Sequence, residues 1–342
     1  MSDLPVVRTP SLRAMLRPKF RGALLGAAVG DALGFPFEGS SRSFMAALGP
    51  DALRAFEAHR SGYFPAGQFA DATQLTLATV ESIIESQGFS GPALAASFLP
   101  LWRENRIIGR SPDCTEAVGR LIARTADWRT SGCEEGRAGN GAAKRAIPLG
   151  LWNYDEPERL VEETVLAAEI THRDRRAVAG AVAVATAVAY SLTHRDVVLG
   201  EWIDAVTGAI ASIDDALAEG LRQLPRLLSL GEREAVREIG TIGGAEPDAT
   251  PLVIESVMTA FYWFLRHPDD WSATVGGCLR SGGATDTIAS IGGGISAAFH
   301  GVEAIPAGLR KSVVEGDRIL QLADRLHTLK EGGRAPAGRR RG

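Results

Sequence analysis

Two stretches far apart in the chain place one aspartate beside threonine at the start of an apolar run. The first, GQFADATQLTL, holds Asp71 and Thr73, and the second, GGATDTIASIGGG, holds Asp286 and Thr287. Both residue types are preferred N-caps, because their side-chain oxygens accept hydrogen bonds from free backbone N–H groups. If the two turns face each other, the same oxygens could bind a hard cation such as Mg²⁺. The spacing favours capping and leaves the metal interpretation open.

Two further acids lie in the stretch RGALLGAAVGDALGFPFEG. Asp31 stands in a run of small residues, where a carboxylate can serve as a buried hydrogen-bond partner between helices. Glu38 follows a turn that contains proline, and from there it could point into a cleft. The alternative for both is a solvated side chain, since isolated acids are mostly exposed.

Two glycine-containing turns lead into predicted helices and could offer backbone N–H groups to a phosphate. They read GRSPDC and GNGAAKR, and their candidate residues are Gly109, Ser111, Gly139, Asn140 and Gly141, with Lys144 or Arg145 adding positive charge. Neither turn is a GxGxxG or Walker motif. His172, in ITHRD, is by default a structural histidine, and His194 repeats the same local sequence.

The elements that carry these residues are predicted to be helices. Alanine and glycine are frequent, aromatic residues make up only 6%, and strand-like alternation of Val, Ile and Thr is scarce. The stretch RRAVAGAVAVATAVAYSL is long and almost uncharged, so we place it at the centre of a bundle. Residues 1–19 are predicted to be a loose lead, and residues 330–342 a basic, disordered tail.

Composition excludes several classes of protein. The net charge of −4 gives no basic surface for nucleic acid, and no apolar run reaches the length of a membrane span. The first residues lack an apolar signal core, and the three widely spaced cysteines fit a reducing cytoplasm. No GxSxG or HExxH motif is present. We therefore expect a soluble cytoplasmic protein without nucleic-acid or membrane partners.

Taken together and in this order, the quoted stretches resemble the ADP-ribosylglycohydrolase family over roughly residues 20–329. Further anchors of the resemblance are THRDRRAVAGAVAVATAVA and FLRHPDDW. The resemblance implies an all-α, single-domain, compact orthogonal helix bundle. It also implies two Mg²⁺ or Mn²⁺ ions at the base of a cleft, which position ribose hydroxyls and a water for hydrolysis of a glycosidic bond to ADP-ribose.

Matching the family's motifs residue by residue assigns roles in this chain. Glu38, Asp71 and Asp286 are the implied catalytic residues. Asp71, Asp286 and Thr287 are the implied metal ligands, with Thr73 as a further candidate. The implied ligand-binding residues are Gly109, Ser111, Gly139, Asn140, Gly141, His172 and Gly283. The chain departs from the pattern at Ala70, Ala72 and Ala284, where a threonine and two aspartates are expected. A methyl group cannot ligate a metal.

The departures reduce both the charge and the number of oxygens available to a cation, and hard-cation affinity follows both. We predict that the two-metal cluster is absent, and that one weakly bound Mg²⁺ or Mn²⁺ ion, or none, takes its place. The substitutions are either natural divergence or engineered, and the third alanine favours divergence.

Three functions are compatible with the sequence. The first is a hydrolase acting on an ADP-ribosyl or related nucleotide-ribosyl group. The second is an inactive protein that binds ADP-ribose, an NAD-like ligand or a partner protein, and the third is a scaffold that keeps only the fold. The expected partner of the first two is an ADP-ribose-containing small molecule or an ADP-ribosylated protein.

Overall fold

The structure, a computed structural model, describes residues 12–49, 54–242 and 252–332. The α-helices in these ranges are α1 (Leu12–Gly34), α2 (Arg42–Ala47), α3 (Asp71–Glu85), α4 (Gly91–Arg103), α5 (Pro112–Ala123), α6 (Ile147–Trp152), α7 (Pro157–Glu169), α8 (Arg175–Thr193), α9 (Leu199–Ile210), α10 (Asp215–Arg222), α11 (Leu224–Ser229), α12 (Glu232–Ile239), α13 (Val253–Arg266), α14 (Trp271–Arg280), α15 (Thr285–His300), α16 (Ala307–Ser312) and α17 (Gly316–Glu331). Short 3₁₀ turns cover Phe35–Phe37, Ala143–Arg145 and Val302–Ala304.

The described ranges contain no β-strand, and their extended backbone pairs only at three isolated bridges. The helices pack into one compact domain around a single continuous core. The all-α prediction is therefore confirmed.

Helices α1 and α15 approach each other so closely that the contact requires glycine. A Cβ atom built on Gly30 would lie 2.1 Å from the carbonyl oxygen of Ala289, and one on Gly26 would lie 2.5 Å from that of Gly293. The obstructing atoms belong to the partner backbone, which cannot rotate away. The small-residue stripe of α1 thus fixes the C-terminal end of α1 against the first turn of α15.

Helix α8 lies at the centre of the bundle, as its Ala/Val sequence predicts, and contacts α6, α7, α9, α13 and α15. By length and composition it could also span a membrane. However, 83% of its most apolar window is buried inside the protein. This burial is what a core helix shows.

The boundaries of the domain differ from the prediction at the N-terminus. Helix α1 begins at Leu12, so residues 12–19 are helical rather than part of a loose lead. Pro18 lies inside this helix. At the other end α17 continues to Glu331, and the predicted tail from residue 333 onward lies outside the described residues.

Candidate active site

The first turn of α3 is capped by a side chain from another helix. Asp31, fully buried on α1, accepts hydrogen bonds from the backbone N–H of Ala70 (2.9 Å) and from the backbone N–H (2.8 Å) and hydroxyl (2.7 Å) of Thr73. Burial and the Asp286 carboxylate raise the pKa of Asp31 to about 7, while these hydrogen bonds lower it. The interpretation of Asp31 as a buried helix-to-helix partner is confirmed, and capping of α3 by Asp71 or Thr73 is wrong.

Asp71 does not cap α3 and instead forms a buried ion pair. It is the first residue of α3, and its Oδ1 lies 2.6 Å from Nζ of Lys144, in the 3₁₀ turn Ala143–Arg145. Burial raises the pKa of Asp71 to about 6, and Lys144 opposes that rise. Burial lowers the pKa of Lys144, but Asp71 and Asp286 outweigh it and the pKa lies above its ordinary value. Lys144 was expected to face a phosphate, and the structure pairs it with an acid instead.

The first turn of α15 brings the second aspartate to the same place. Its N-cap residue is Ala284, which supplies no side-chain cap. The Thr285 hydroxyl donates to the carbonyl of Gly34 (2.9 Å), and the backbone N–H of Thr287 donates to Asp286 Oδ1 (2.5 Å). A Cβ on Gly34 would lie 2.4 Å from the Asp286 nitrogen, so the end of α1 sets the position of Asp286.

Glu38 is held beside Asp286 by backbone pairing. The N–H of Gly39 donates to the carbonyl of Gly283, and the N–H of Gly283 donates to the carbonyl of Ser40, both at 2.9 Å. Burial and the Asp286 carboxylate raise the pKa of Glu38 to about 10. Its Oε2 is buried and accepts no hydrogen bond from any residue in the described ranges. Gly283, predicted to bind ligand, therefore uses its backbone to hold the Glu38 loop.

The two glycine-containing turns form the opposite wall. Ser111 caps α5 by accepting from the N–H of Cys114, and the Asn140 amide donates to the Ser256 hydroxyl (3.0 Å). A Cβ on Gly139 would lie 2.4 Å from Asp113 Oδ2, and one on Gly141 would lie 2.7 Å from His172 Cε1. These glycines thus let the wall close tightly around Asp113 and His172.

His172 is buried and forms a polar chain with its neighbours. Its Nδ1 lies 2.7 Å from the Thr171 hydroxyl, which accepts from Arg145, and its Nε2 lies 3.6 Å from Asp113 Oδ2. Burial lowers the pKa of His172. The neighbouring His172 ring and the Arg137 guanidinium, whose Nη2 lies 2.5 Å from Asp113 Oδ1, hold the pKa of Asp113 below its usual range. Sequence reasoning missed Asp113, although it stands inside the quoted turn GRSPDC.

These elements enclose a cleft of about 320 Å³, within the usual range for ligand sites. The predicted residues that line it are Glu38, Gly109, Ser111, Gly139, Asn140, Gly141, His172, Asp286 and Thr287, and Phe35, Asp113 and Lys144 join them. Asp71 and Thr73 are almost completely buried and are not among the lining residues. Lys144 therefore faces the cleft, whereas its partner Asp71 is buried behind the lining residues.

The donor set does not fit a two-metal centre. Within the part of the chain that the structure describes, no group of three or more His, Cys, Asp or Glu side chains could hold a metal ion. Ala70, Ala72 and Ala284 present methyl groups, and one oxygen of Asp71 is taken by the Lys144 ammonium. The single, weakly bound Mg²⁺ or Mn²⁺ ion stays a prediction.

Comparison with solved structures defines the class of fold. A structure described as an ADP-ribosylglycohydrolase-related protein complex superposes with a TM-score of 0.74, covering 92% of this chain and 99% of that chain. The two sequences are 24% identical, so the likeness shows the shared helical fold.

Sequence comparison then assigns the family. The sequence model of the family described as ADP-ribosylglycohydrolase matches residues 12–336, so the chain belongs to this family. An uncharacterized protein of Archaeoglobus fulgidus is 30% identical, with 92% of this chain and 97% of that protein covered. The ADP-ribosylhydrolase ARH3 of Gallus gallus is 28% identical, with 91% and 93% covered.

Proposed function

We propose that this chain is a hydrolase that cleaves the glycosidic bond between an ADP-ribosyl group and its acceptor, with the ADP-ribosyl group bound in the cleft. Family membership supports the class of reaction. The observation that carries the proposal for this chain is the buried, unpartnered Oε2 of Glu38 beside Asp286 in the cleft wall. A buried carboxyl oxygen without a donor is costly, and a ribose hydroxyl or a water molecule would satisfy it.

The chemistry follows from this arrangement. Water adds its oxygen to the anomeric carbon, the bond to the acceptor nitrogen or oxygen breaks, and the acceptor gains a proton. Because its raised pKa keeps Glu38 protonated at neutral pH, Glu38 gives its proton to the departing acceptor and regains one from the water. Asp286 accepts a hydrogen bond from a ribose hydroxyl, which fixes the sugar. Backbone N–H groups of the turns around Ser111 and Asn140 line the opposite wall and are suited to the diphosphate.

A second candidate function is binding of an ADP-ribose-like ligand without turnover. The observation that favours it is the loss of oxygen ligands at Ala70, Ala72 and Ala284, because that loss leaves the reacting centre without the usual charge stabilisation. In this case the cleft recognises the same chemical group for sensing or for partner binding.

The substrate we propose is an ADP-ribosylated protein or an ADP-ribose-containing small molecule, met in the cytoplasm. Cys114, Cys133 and Cys278 are all buried and free, which suits a reducing compartment.

Release of ADP-ribose from ADP-ribosyl-arginine and ADP-ribosyl-serine peptides tests the proposal. We expect turnover by the wild-type chain and a fall of about 100-fold or more in Glu38→Gln, the range expected for loss of a general acid. Glu162→Gln, on the exposed side of α7, is the matched control and keeps full activity. Absence of turnover together with micromolar binding of ADP-ribose selects the second function, and absence of both contradicts the assignment of the cleft.

A further inference from the structure

Lys144 is a cation built into the floor of the cleft. Its side chain is 4% exposed and lies on the 3₁₀ turn Ala143–Arg145, whose backbone is fixed by hydrogen bonds. The N–H of Lys144 donates to the carbonyl of Asn140 (3.1 Å), and its own carbonyl accepts from the Thr76 hydroxyl (3.3 Å). A lysine is rarely buried to this extent unless it is paired. The position of this ammonium is therefore set by the fold.

The partners of the ammonium are the acids that the family resemblance implies as ligands of a metal. Nζ lies 2.6 Å from Asp71 Oδ1, and its charge also acts on Asp286 and on Glu38. One ammonium balances one of these three carboxyl groups. A divalent ion bound at Asp71 would have to displace Lys144 or sit beside its positive charge, and both are unfavourable.

The alanines around the Lys144–Asp71 pair also disfavour a divalent ion at this place. Ala70 and Ala72 flank Asp71 and are fully buried, and Ala284 caps α15 without an oxygen. The chain lacks oxygens that a divalent ion would need, and it places a monovalent cation, which needs fewer ligands, against Asp71. An ammonium carries three N–H donors, and the contact to Asp71 uses one of them.

We propose that the Lys144 ammonium takes the place of the family's divalent cation in this chain and holds the ribose end of the ligand directly, so that ADP-ribose binds without metal. Lys144 lines the cleft and Asp71, its partner, does not, so the ammonium presents its remaining N–H donors to the ribose oxygens. The inference rests on the proposed assignment of the cleft to ADP-ribose.

The test compares the wild-type chain with Lys144→Met, which keeps the length of the side chain and removes its charge. Calorimetric titration of ADP-ribose in EDTA and in excess Mg²⁺ should give the same affinity for the wild-type chain. We expect Lys144→Met to bind ADP-ribose about 10- to 100-fold more weakly in EDTA, as for loss of a hydrogen bond to a charged group. Part of that loss should be recovered in Mg²⁺ or Mn²⁺.

Lys330→Met is the matched control, since Lys330, on α17 and outside the cleft lining, is also a buried lysine paired with an aspartate, Asp155. It should leave affinity and metal response unchanged. Wild-type binding that requires Mg²⁺, or a Lys144→Met protein that binds normally in EDTA, would overturn the proposal.

A metal titration without nucleotide separates this inference from the proposed function. Mn²⁺ should bind Lys144→Met more tightly than it binds the wild-type chain, whether or not ADP-ribose is the ligand. Equal Mn²⁺ affinity of the two proteins contradicts the exchange of cations. Failure of ADP-ribose to bind either protein contradicts the functional assignment alone. If Lys144→Met does not fold, wild-type titrations in EDTA and Mg²⁺ still decide the question.

Discussion

Substitution of Gly30 by alanine is expected to destabilise the protein, although alanine is the better helix former. The added Cβ would lie 2.1 Å from the Ala289 carbonyl oxygen, 2.5 Å from its carbon and 2.9 Å from the Ser290 nitrogen. The shortest of these distances is more than an ångström below the roughly 3.5 Å of a favourable contact. Helix α1 must therefore move away from α15, which also displaces the residues that follow it.

Two opposing effects set the change in the free energy of unfolding of Gly30→Ala. Alanine in place of glycine favours a helix by about 1 kcal/mol, whereas overpacking a core costs typically 1–3 kcal/mol, roughly the upper end when the obstacle is backbone. We expect a net loss of about 2 kcal/mol. Gly119, exposed inside α5, is the control, because a Cβ there meets nothing within 4 Å. Gly119→Ala should gain about 0.5–1 kcal/mol.

Urea unfolding of the wild-type chain and the two variants measures the difference. The reasoning predicts that the two substitutions shift the free energy of unfolding in opposite directions, separated by about 3 kcal/mol. A Gly30→Ala protein as stable as Gly119→Ala would refute the claim that α1 and α15 are in backbone contact.

Three further predictions concern side chains around and away from the cleft. Asp31→Asn replaces an acceptor oxygen by an NH₂ group that faces backbone donors, so urea unfolding should show a loss of about 1–3 kcal/mol. Asp324 accepts hydrogen bonds from Arg17 and Arg21, and these hold the pKa of its carboxyl well below the usual range. The ionised Asp324 carboxylate stabilises the folded state above its unfolded pKa of about 4, and this stabilisation is lost as the pH falls through the lower folded pKa. The urea midpoints of the wild-type chain and Asp324→Asn should therefore differ at about pH 7 and converge in acid. Gly139→Ala places a Cβ 2.4 Å from Asp113 Oδ2 and should weaken ADP-ribose binding by about 10-fold, whereas Gly200→Ala, where a Cβ meets nothing within 4 Å, should not.

The helical class of the fold and most of the residues that line the cleft could be predicted from the sequence. The composition predicted helices, and the resemblance to the ADP-ribosylglycohydrolase family implied an all-α fold in which residues from position 38 to position 287 share one site. The structure brings nine of these predicted residues to the cleft wall. The helices could be predicted because helix periodicity is a local property of the chain, whereas the shared site was implied by the family resemblance.

The side-chain contacts that decide the chemistry of the site could not be predicted from the sequence. The cap of α3 comes from Asp31, 39 residues before Ala70, and the partner of Asp71 is Lys144, 73 residues later. Local preference assigned capping to Asp71 and a phosphate to Lys144. Tertiary packing overrides both, because a buried carboxylate takes the donors nearest in space rather than those nearest in sequence.

The most direct test of the account is a crystal structure of the wild-type protein grown with ADP-ribose and excess Mn²⁺. The account predicts ribose in the cleft against Glu38 and Asp286, with Lys144 Nζ within about 3 Å of a ribose oxygen and still paired with Asp71. No anomalous Mn²⁺ peak is expected at Asp71. A Mn²⁺ ion on Asp71 with Lys144 turned away, or ADP-ribose bound outside the cleft, would contradict it.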